Sequence, residues 1–176
     1  MAENLPVNDA PLLAFVELKS YPKGHELLSA GQTSNYIFHI LSGACRLLCN
    51  RDGRETTTWF AFENETITTA SYFSRVPGEE CLQTLEPTTC LQLSYSRQQQ
   101  LFDQLPQADR YVRLQQEQLI IRLEDRIKGL LFRTAQERYG HLLTVFPTIL
   151  LRVPHHMIAS YLGIRPETLS RLRAKY

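Results

Sequence analysis

Four polar side chains close together in this 176-residue chain carry its clearest chemical possibilities: Glu167, Ser170, Arg171 and Arg173. A carboxylate accepts hydrogen bonds, a guanidinium donates them in a fixed fork, and a hydroxyl does both. Glu167 stands three residues before Ser170 and four before Arg171, so a helix would bring all three to one side. Such a side can read base edges or phosphates. The same residues also suit an ordinary solvated helix surface.

The residues around them supply that helix and a partner for it. Pro154 suits a helix start, where a missing N–H is tolerated. Ile158 and Leu162 are four apart and share one face. Gly163 can take the left-handed conformation that ends a helix. Pro166 opens a second helix with Leu169 and Leu172 on its inner side. Ala159 is small enough to let two helices cross closely. The pattern predicts a helix-turn-helix, whose second helix enters the DNA major groove. It is also compatible with an ordinary helical hairpin closing a domain.

Other chemistries find less support. Cys45, Cys49, Cys81 and Cys90 form no C-x-x-C pair. Cys45 and Cys49 would lie on one face of one strand, too far apart to bridge, so reduced thiols are expected. His25 and His39 read as single structural histidines on strands. No nucleophile–base pair, metal-ligand spacing or phosphate loop is present, so no enzyme, metal or cofactor is expected. Residues 63–80 cluster carboxylates, but nothing else there argues for a hydrolase.

The net charge of +1 hides an asymmetry. Residues 1–106 hold seven Lys and Arg against twelve Asp and Glu; residues 107–176 hold twelve against six. An acidic front and a basic back suit a sensor joined to a nucleic-acid-binding end. No apolar run reaches the roughly 18 residues of a membrane span. The first residues lack the basic and apolar regions of a signal peptide, so a cytoplasmic protein is expected.

Along the chain, short strands come first: 16–19, 25–28, 36–41, 44–49, 54–62, 81–85 and 89–93. Asn50-Arg51-Asp52-Gly53 signals a hairpin. This spacing means an antiparallel sandwich, roll or barrel. Residues 63–80 read as a long polar insertion with an apolar patch at Tyr72 and Phe73, the kind of segment where a ligand often sits. From Ser94 the period becomes helical. Residues 108–134 form the longest helix, with Val112, Leu119, Ile120, Leu123, Ile127, Leu130 and Leu131 wrapping more than one face. That pattern suits burial against a second copy. Thr134 and Glu137 match a capping box for a further helix, and residues 148–152 read as a short connection.

This order of parts resembles the Crp/Fnr (cAMP receptor protein/fumarate–nitrate regulator) family of bacterial transcription regulators. In front, the resemblance rests on Pro22-Lys23-Gly24, Gly31, Tyr36-Ile37-Phe38-His39-Ile40 and Gly43. Behind, it rests on Arg138-Tyr139, Leu142-Leu143, Pro147, Arg152-Val153-Pro154 and the run from Ile158 to Arg173, which is similar to Bacteroidetes-type members. The resemblance implies an α+β fold: an N-terminal antiparallel β-roll of the jelly-roll, cyclic-nucleotide-binding type, a long dimerisation helix, and a C-terminal helix-turn-helix, winged-helix-like but truncated after the recognition helix. The implied domains are 1–106 (sensor), 107–134 (dimerisation) and 135–176 (DNA binding).

It further implies a homodimer on a palindromic duplex, with half-sites about 34 Å apart, and RNA polymerase as a further partner. By motif position Glu167 and Arg171 fall where the family reads bases; Arg171 suits guanine O6/N7 and Glu167 the cytosine amino group. Ser170 could add a base or phosphate contact and Thr168 a phosphate bond, with Arg165, Arg173 and Lys175 supplying phosphate charge. Pro166 stands where some members carry a base-reading Arg. The alternative is a dimeric sensing or interaction module that does not bind DNA.

The chain departs from cyclic-nucleotide-binding members. They hold the cyclic phosphate with a Gly-Glu helix start and an Arg-Ser/Thr pair. Here the first position reads Glu65-Thr66-Ile67-Thr68-Thr69-Ala70, and the second falls at Gly78-Glu79-Glu80. Two carboxylates repel a phosphate, so cAMP and cGMP are not expected and the effector is unknown. The candidate pocket is Thr66, Ile67, Thr68, Thr69, Tyr72, Phe73, Arg75, Glu79 and Glu80.

Overall fold

The computed structural model describes residues 10–174. The chain forms two units, one ending at Ala108 and the other beginning at Asp109.

The first unit runs α1 (Ala10–Leu13), β1 (Glu17–Tyr21), β2 (Glu26–Leu28), β3 (Tyr36–Ser42), β4 (Cys45–Arg51), β5 (Arg54–Ala61), β6 (Thr66–Ile67), α2 (Ala70–Ser74), β7 (Glu80–Thr84), β8 (Thr88–Ser94) and α3 (Tyr95–Gln104). Its strands make two four-stranded antiparallel sheets, β1-β8-β3-β6 and β2-β7-β4-β5. The pairings nest: β1 with β8, β2 with β7, β3 with β6 and β4 with β5. A long hairpin folded over on itself gives this order, which is that of a jelly roll.

The tip of that hairpin is the β4–β5 turn, where Arg51 pairs with Arg54. Asp52 and Gly53 both have positive φ, 54° and 77°. This is the two-residue turn whose twist matches the flanking strands. Alternate residues of both sheets point inward, and Phe38, Ile40, Cys45, Leu47, Ile67, Leu82 and Cys90 form the core. At Gly43, φ is 97° and an added Cβ would lie 2.6 Å from the Pro87 carbonyl oxygen, so only glycine fits.

The polar stretch 63–80 is not the open insertion its composition suggests. Thr66 and Ile67 pair with His39 and Phe38 as β6, and Ala70–Ser74 coils into α2. Two residues are too few for an alternating pattern to announce a strand. Ser94 caps α3 by accepting from the Arg97 N–H, as its position predicts.

The second unit holds most of α4 (Gln107–Phe132), then α5 (Ala135–Val145), α6 (Ile149–Arg152), α7 (His155–Leu162) and α8 (Pro166–Arg173). Residues 149–152, expected as a connection, are one helical turn, held because Ile149 is fully buried. The capping box is present: Thr134 Oγ1 accepts from the Glu137 N–H, and Glu137 accepts from the Thr134 N–H at 2.7 Å. Tyr139, Leu142, Ile149, Val153, Ile158, Ala159, Leu162, Leu169 and Leu172 are the buried apolar side chains here. Ala159 lies in that core, as its small size implies. Among the described residues, no helix is long and apolar enough to cross a membrane.

Candidate functional site

The second unit presents a polar helix surface on a fixed base. α8 turns Leu169 and Leu172 inward and packs on α7. The same geometry leaves Glu167, Ser170, Arg171 and Arg173 exposed, with Arg165 exposed at the helix entry and Thr168 half-buried. Burying one side of an amphipathic helix commits the other side to solvent or a partner. The Ser170 hydroxyl donates back to the Pro166 carbonyl at 3.2 Å, leaving its lone pairs outward. Arg173 Nη1 reaches the His155 ring, 3.1 Å from Nδ1 and 2.5 Å from Nε2. Lys175 lies outside the described residues.

The carbonyl end of α7, before the turn into α8, is fully hydrogen-bonded. Gly163 has φ 66°. Its N–H donates to Ser160 O at 3.1 Å, and the Ile164 N–H donates to Ala159 O at 3.0 Å. These are the two bonds of a Schellman cap. They leave the Tyr161 and Leu162 carbonyls. Arg126 of α4 donates to Tyr161 O at 2.9 Å and stacks 3.7 Å over the Tyr161 ring. Arg138 of α5 donates to Leu162 O at 3.0 Å and to Arg133 O at 2.6 Å. Burial pulls the Arg126 pKa below its ordinary value, against the contact and hydrogen bond with Tyr161. Sequence reading missed both roles. Arg138 lies beside Tyr139 in a recognisable pair, but its target is a carbonyl 24 residues away, which no local pattern announces.

In the roll, the candidate ligand residues separate. Ile67 is in the core, and Thr66 Oγ1 meets His39 Nδ1 at 3.1 Å. His39 is itself buried, and that burial lowers its pKa. Thr68 donates to Tyr36 O at 2.8 Å, and Thr69 bonds Ser71 Oγ at 2.7 Å. Tyr72 is buried and donates to Gln98 at 2.9 Å; burial pushes its pKa up to about 12. Phe73 is exposed. Arg75 closes α2 with φ 57°, donates to Ser34 O at 2.8 Å and Asn35 Oδ1 at 2.7 Å, and lies 4.2 Å over the Tyr95 ring. Glu79 pairs with Arg51 on the surface, and Glu80 begins β7 opposite Cys49. Thus Thr68, Thr69, Tyr72 and Arg75 share a network with Ser34 and Tyr36, while Glu80 belongs to the other sheet and Glu79, just before it, pairs with Arg51 of that sheet.

A hollow of about 340 Å³ lies elsewhere, lined by Lys19, Tyr21, His25, Leu27, Tyr36, Phe38 and Gln92. Tyr21 stacks on His25 at 5.0 Å and donates to Gln92 at 2.7 Å. None of the candidate pocket residues lines it. Its signal in the sequence is three pairs two residues apart, 19 and 21, 25 and 27, 36 and 38, each facing one way along the chain. The four cysteines are free thiols, and burial pushes Cys45 up to about 12 and Cys90 to about 11, which holds them protonated. Among the described residues, no cluster of His, Cys, Asp or Glu is placed to hold a metal.

Comparisons with known proteins agree with this architecture. Residues 18–105 match the model of the cyclic nucleotide-binding domain. FixK2 from Bradyrhizobium japonicum superposes with a TM-score of 0.79 at 20% identity, over 91% of this chain and 83% of that one. The c-di-GMP responsive global regulator CLP of Xanthomonas campestris gives 0.73 at 22%, over 94% and 88%. The Thermus thermophilus catabolite activator protein gives 0.61 at 20%, over 98% and 84%. No curated protein sequence matches the chain. The fold is that of Crp/Fnr-family regulators, and through residues 18–105, half of its length, the chain belongs to the cyclic nucleotide-binding domain family.

Proposed function

We propose that the protein is a transcription regulator that binds double-stranded DNA through α8, acts as a homodimer joined along α4, and is not an enzyme. The observation that carries this reading is the division of α8: Leu169 and Leu172 buried, Glu167, Ser170, Arg171 and Arg173 outward, on a helix set by a closed turn. Arg171 then reads guanine and Glu167 cytosine, while Arg165, Thr168, Arg173 and Lys175 serve phosphates. The fold shared with CLP, FixK2 and the catabolite activator protein supports it. Two copies present two recognition helices, so the partner is a palindromic duplex with half-sites about 34 Å apart. A cytoplasmic location and contact with RNA polymerase belong to the same reading.

The dimer is supported by α4. Ile120, Ile127 and Leu131 are 64%, 57% and 68% exposed in the single chain, an apolar stripe of the kind that marks an interaction surface. The sensor does not take cAMP or cGMP in this proposal. Its support is Arg75, the cation nearest the expected phosphate position, whose guanidinium is engaged by Ser34, Asn35 and Tyr95. A phosphate would have to displace these bonds.

The test is Arg171→Ala in the full chain. The expected loss is about 1–3 kcal/mol of sequence-specific affinity, with relaxed choice at one base position. Absence of salt-dependent duplex binding by the unsubstituted chain would overturn the reading.

A further inference from the structure

We propose that Arg126 and Arg138 are positioning residues for α8, clamping the carbonyl end of α7 to the far part of α4 so that these helices move as one body. This rests on the reading of α8 as the DNA-contacting helix. The last four carbonyls of α7 all accept hydrogen bonds. Ala159 and Ser160 are served within the turn by Ile164 and Gly163. Tyr161 and Leu162 are served from other helices, by Arg126 and Arg138. A helix C-terminus carries partial negative charge, so two guanidinium groups there are favoured by charge as well as by hydrogen bonding.

The contacts demand arginine. Arg126 uses a planar face on the Tyr161 ring while one edge donates to the same residue's carbonyl. An ammonium cannot do both. Arg138 spans two acceptors at once, Leu162 O and Arg133 O. It therefore ties the α4–α5 joint to the start of the turn. Leu130 abuts the same turn, its Cδ2 3.9 Å from where a Gly163 Cβ would stand. The joint itself is braced, because Arg133 grips Asp125 and Asp125 also meets His141 of α5 at 3.3 Å.

The consequence concerns signalling. A displacement of α4 is not absorbed at residues 133–134. It reaches Gly163 and so the first turn of α8, where Glu167 and Thr168 sit. Interfaces held by discrete contacts pass on small shifts as rigid-body motion.

The experiment reads amide hydrogen exchange and duplex affinity in the full chain carrying Arg126→Gln, Arg138→Gln or Arg126→Lys. The turn amides of Gly163 and Ile164 are expected to exchange at least tenfold faster in both Gln variants, with α5 amides unchanged. Duplex affinity is expected to fall at least tenfold. Arg126→Lys, which keeps charge without the planar face, should recover part of both. Exchange at Gly163 and Ile164 within twofold of the parent chain overturns the clamp. So does faster exchange spread evenly over α5, α7 and α8, which marks general destabilisation. If the parent chain binds DNA and the Gln variants bind equally well, the clamp does not position α8 and the proposal falls. If the parent binds no duplex, the DNA reading fails separately, and the exchange rates alone decide the clamp.

Discussion

Asp125 and Arg133 grip each other across the end of α4, both guanidinium Nη atoms on both carboxylate oxygens, the looser pair at 3.2 Å. The Arg133 hydrogen bonds hold the Asp125 carboxyl below its usual pKa, helped by the charges of His141, Arg133 and Lys128. Glu137 is likewise lowered by the N–H and hydroxyl of Thr134. In each case the unfolded chain binds protons more readily than the folded one. These groups therefore stabilise the fold above the ordinary carboxylate range near pH 4, and the contribution is lost as pH falls through their lowered values. Both are exposed enough for solvent to temper the effect. Thermal melts from pH 7 to pH 3 should show a falling midpoint, with a shallower fall in Asp125→Asn. An identical slope in the variant would contradict this account of the joint.

Thr134→Ala removes the hydroxyl that accepts from the Glu137 N–H at 3.3 Å. The expected cost is about 1 kcal/mol by denaturant titration. Thr134→Ser keeps that oxygen and should lie close to the parent chain.

Two glycines with positive φ are expected to differ sharply. Gly43→Ala forces a Cβ to within 2.6 Å of Pro87 O and Thr88 Oγ1 and should cost more than about 2 kcal/mol. Gly163→Ala meets nothing nearer than 3.9 Å, so only its left-handed φ of 66° matters, about 1–2 kcal/mol. Equal losses would show that steric fit at the β-turn is not what selects Gly43.

Much of this was legible in the chain. Gly53, Ser94, Thr134, Gly163 and Pro166 act locally, within three or four residues, and each stands where its type predicts. Residues 63–80 were not legible, because a two-residue strand and a five-residue helix are defined by what they pair with. The hollow was not legible for a related reason. Arg75 and Glu79 are near each other in sequence, but the hollow gathers Tyr21, His25, Tyr36 and Gln92 from four separated segments. Arg126 and Arg138 were hidden because their acceptors are backbone carbonyls, which every residue carries.

Tyr72→Phe tests the buried pairing in the roll. It strips the donor from Gln98, which is buried with its Oε1 2.9 Å from the Tyr72 hydroxyl. A loss of about 1–3 kcal/mol is expected in equilibrium unfolding. A neutral result would mean that water replaces the hydroxyl.

In the proposed function α8 reads DNA as one of a symmetric pair. Selection of bound sequences from random duplexes by the full chain tests it most directly. The expected result is an enriched palindrome whose half-site centres lie about one helical turn apart, with one base position relaxed in Arg171→Ala. Failure to enrich any sequence, together with no salt-dependent retention of duplex, would contradict it.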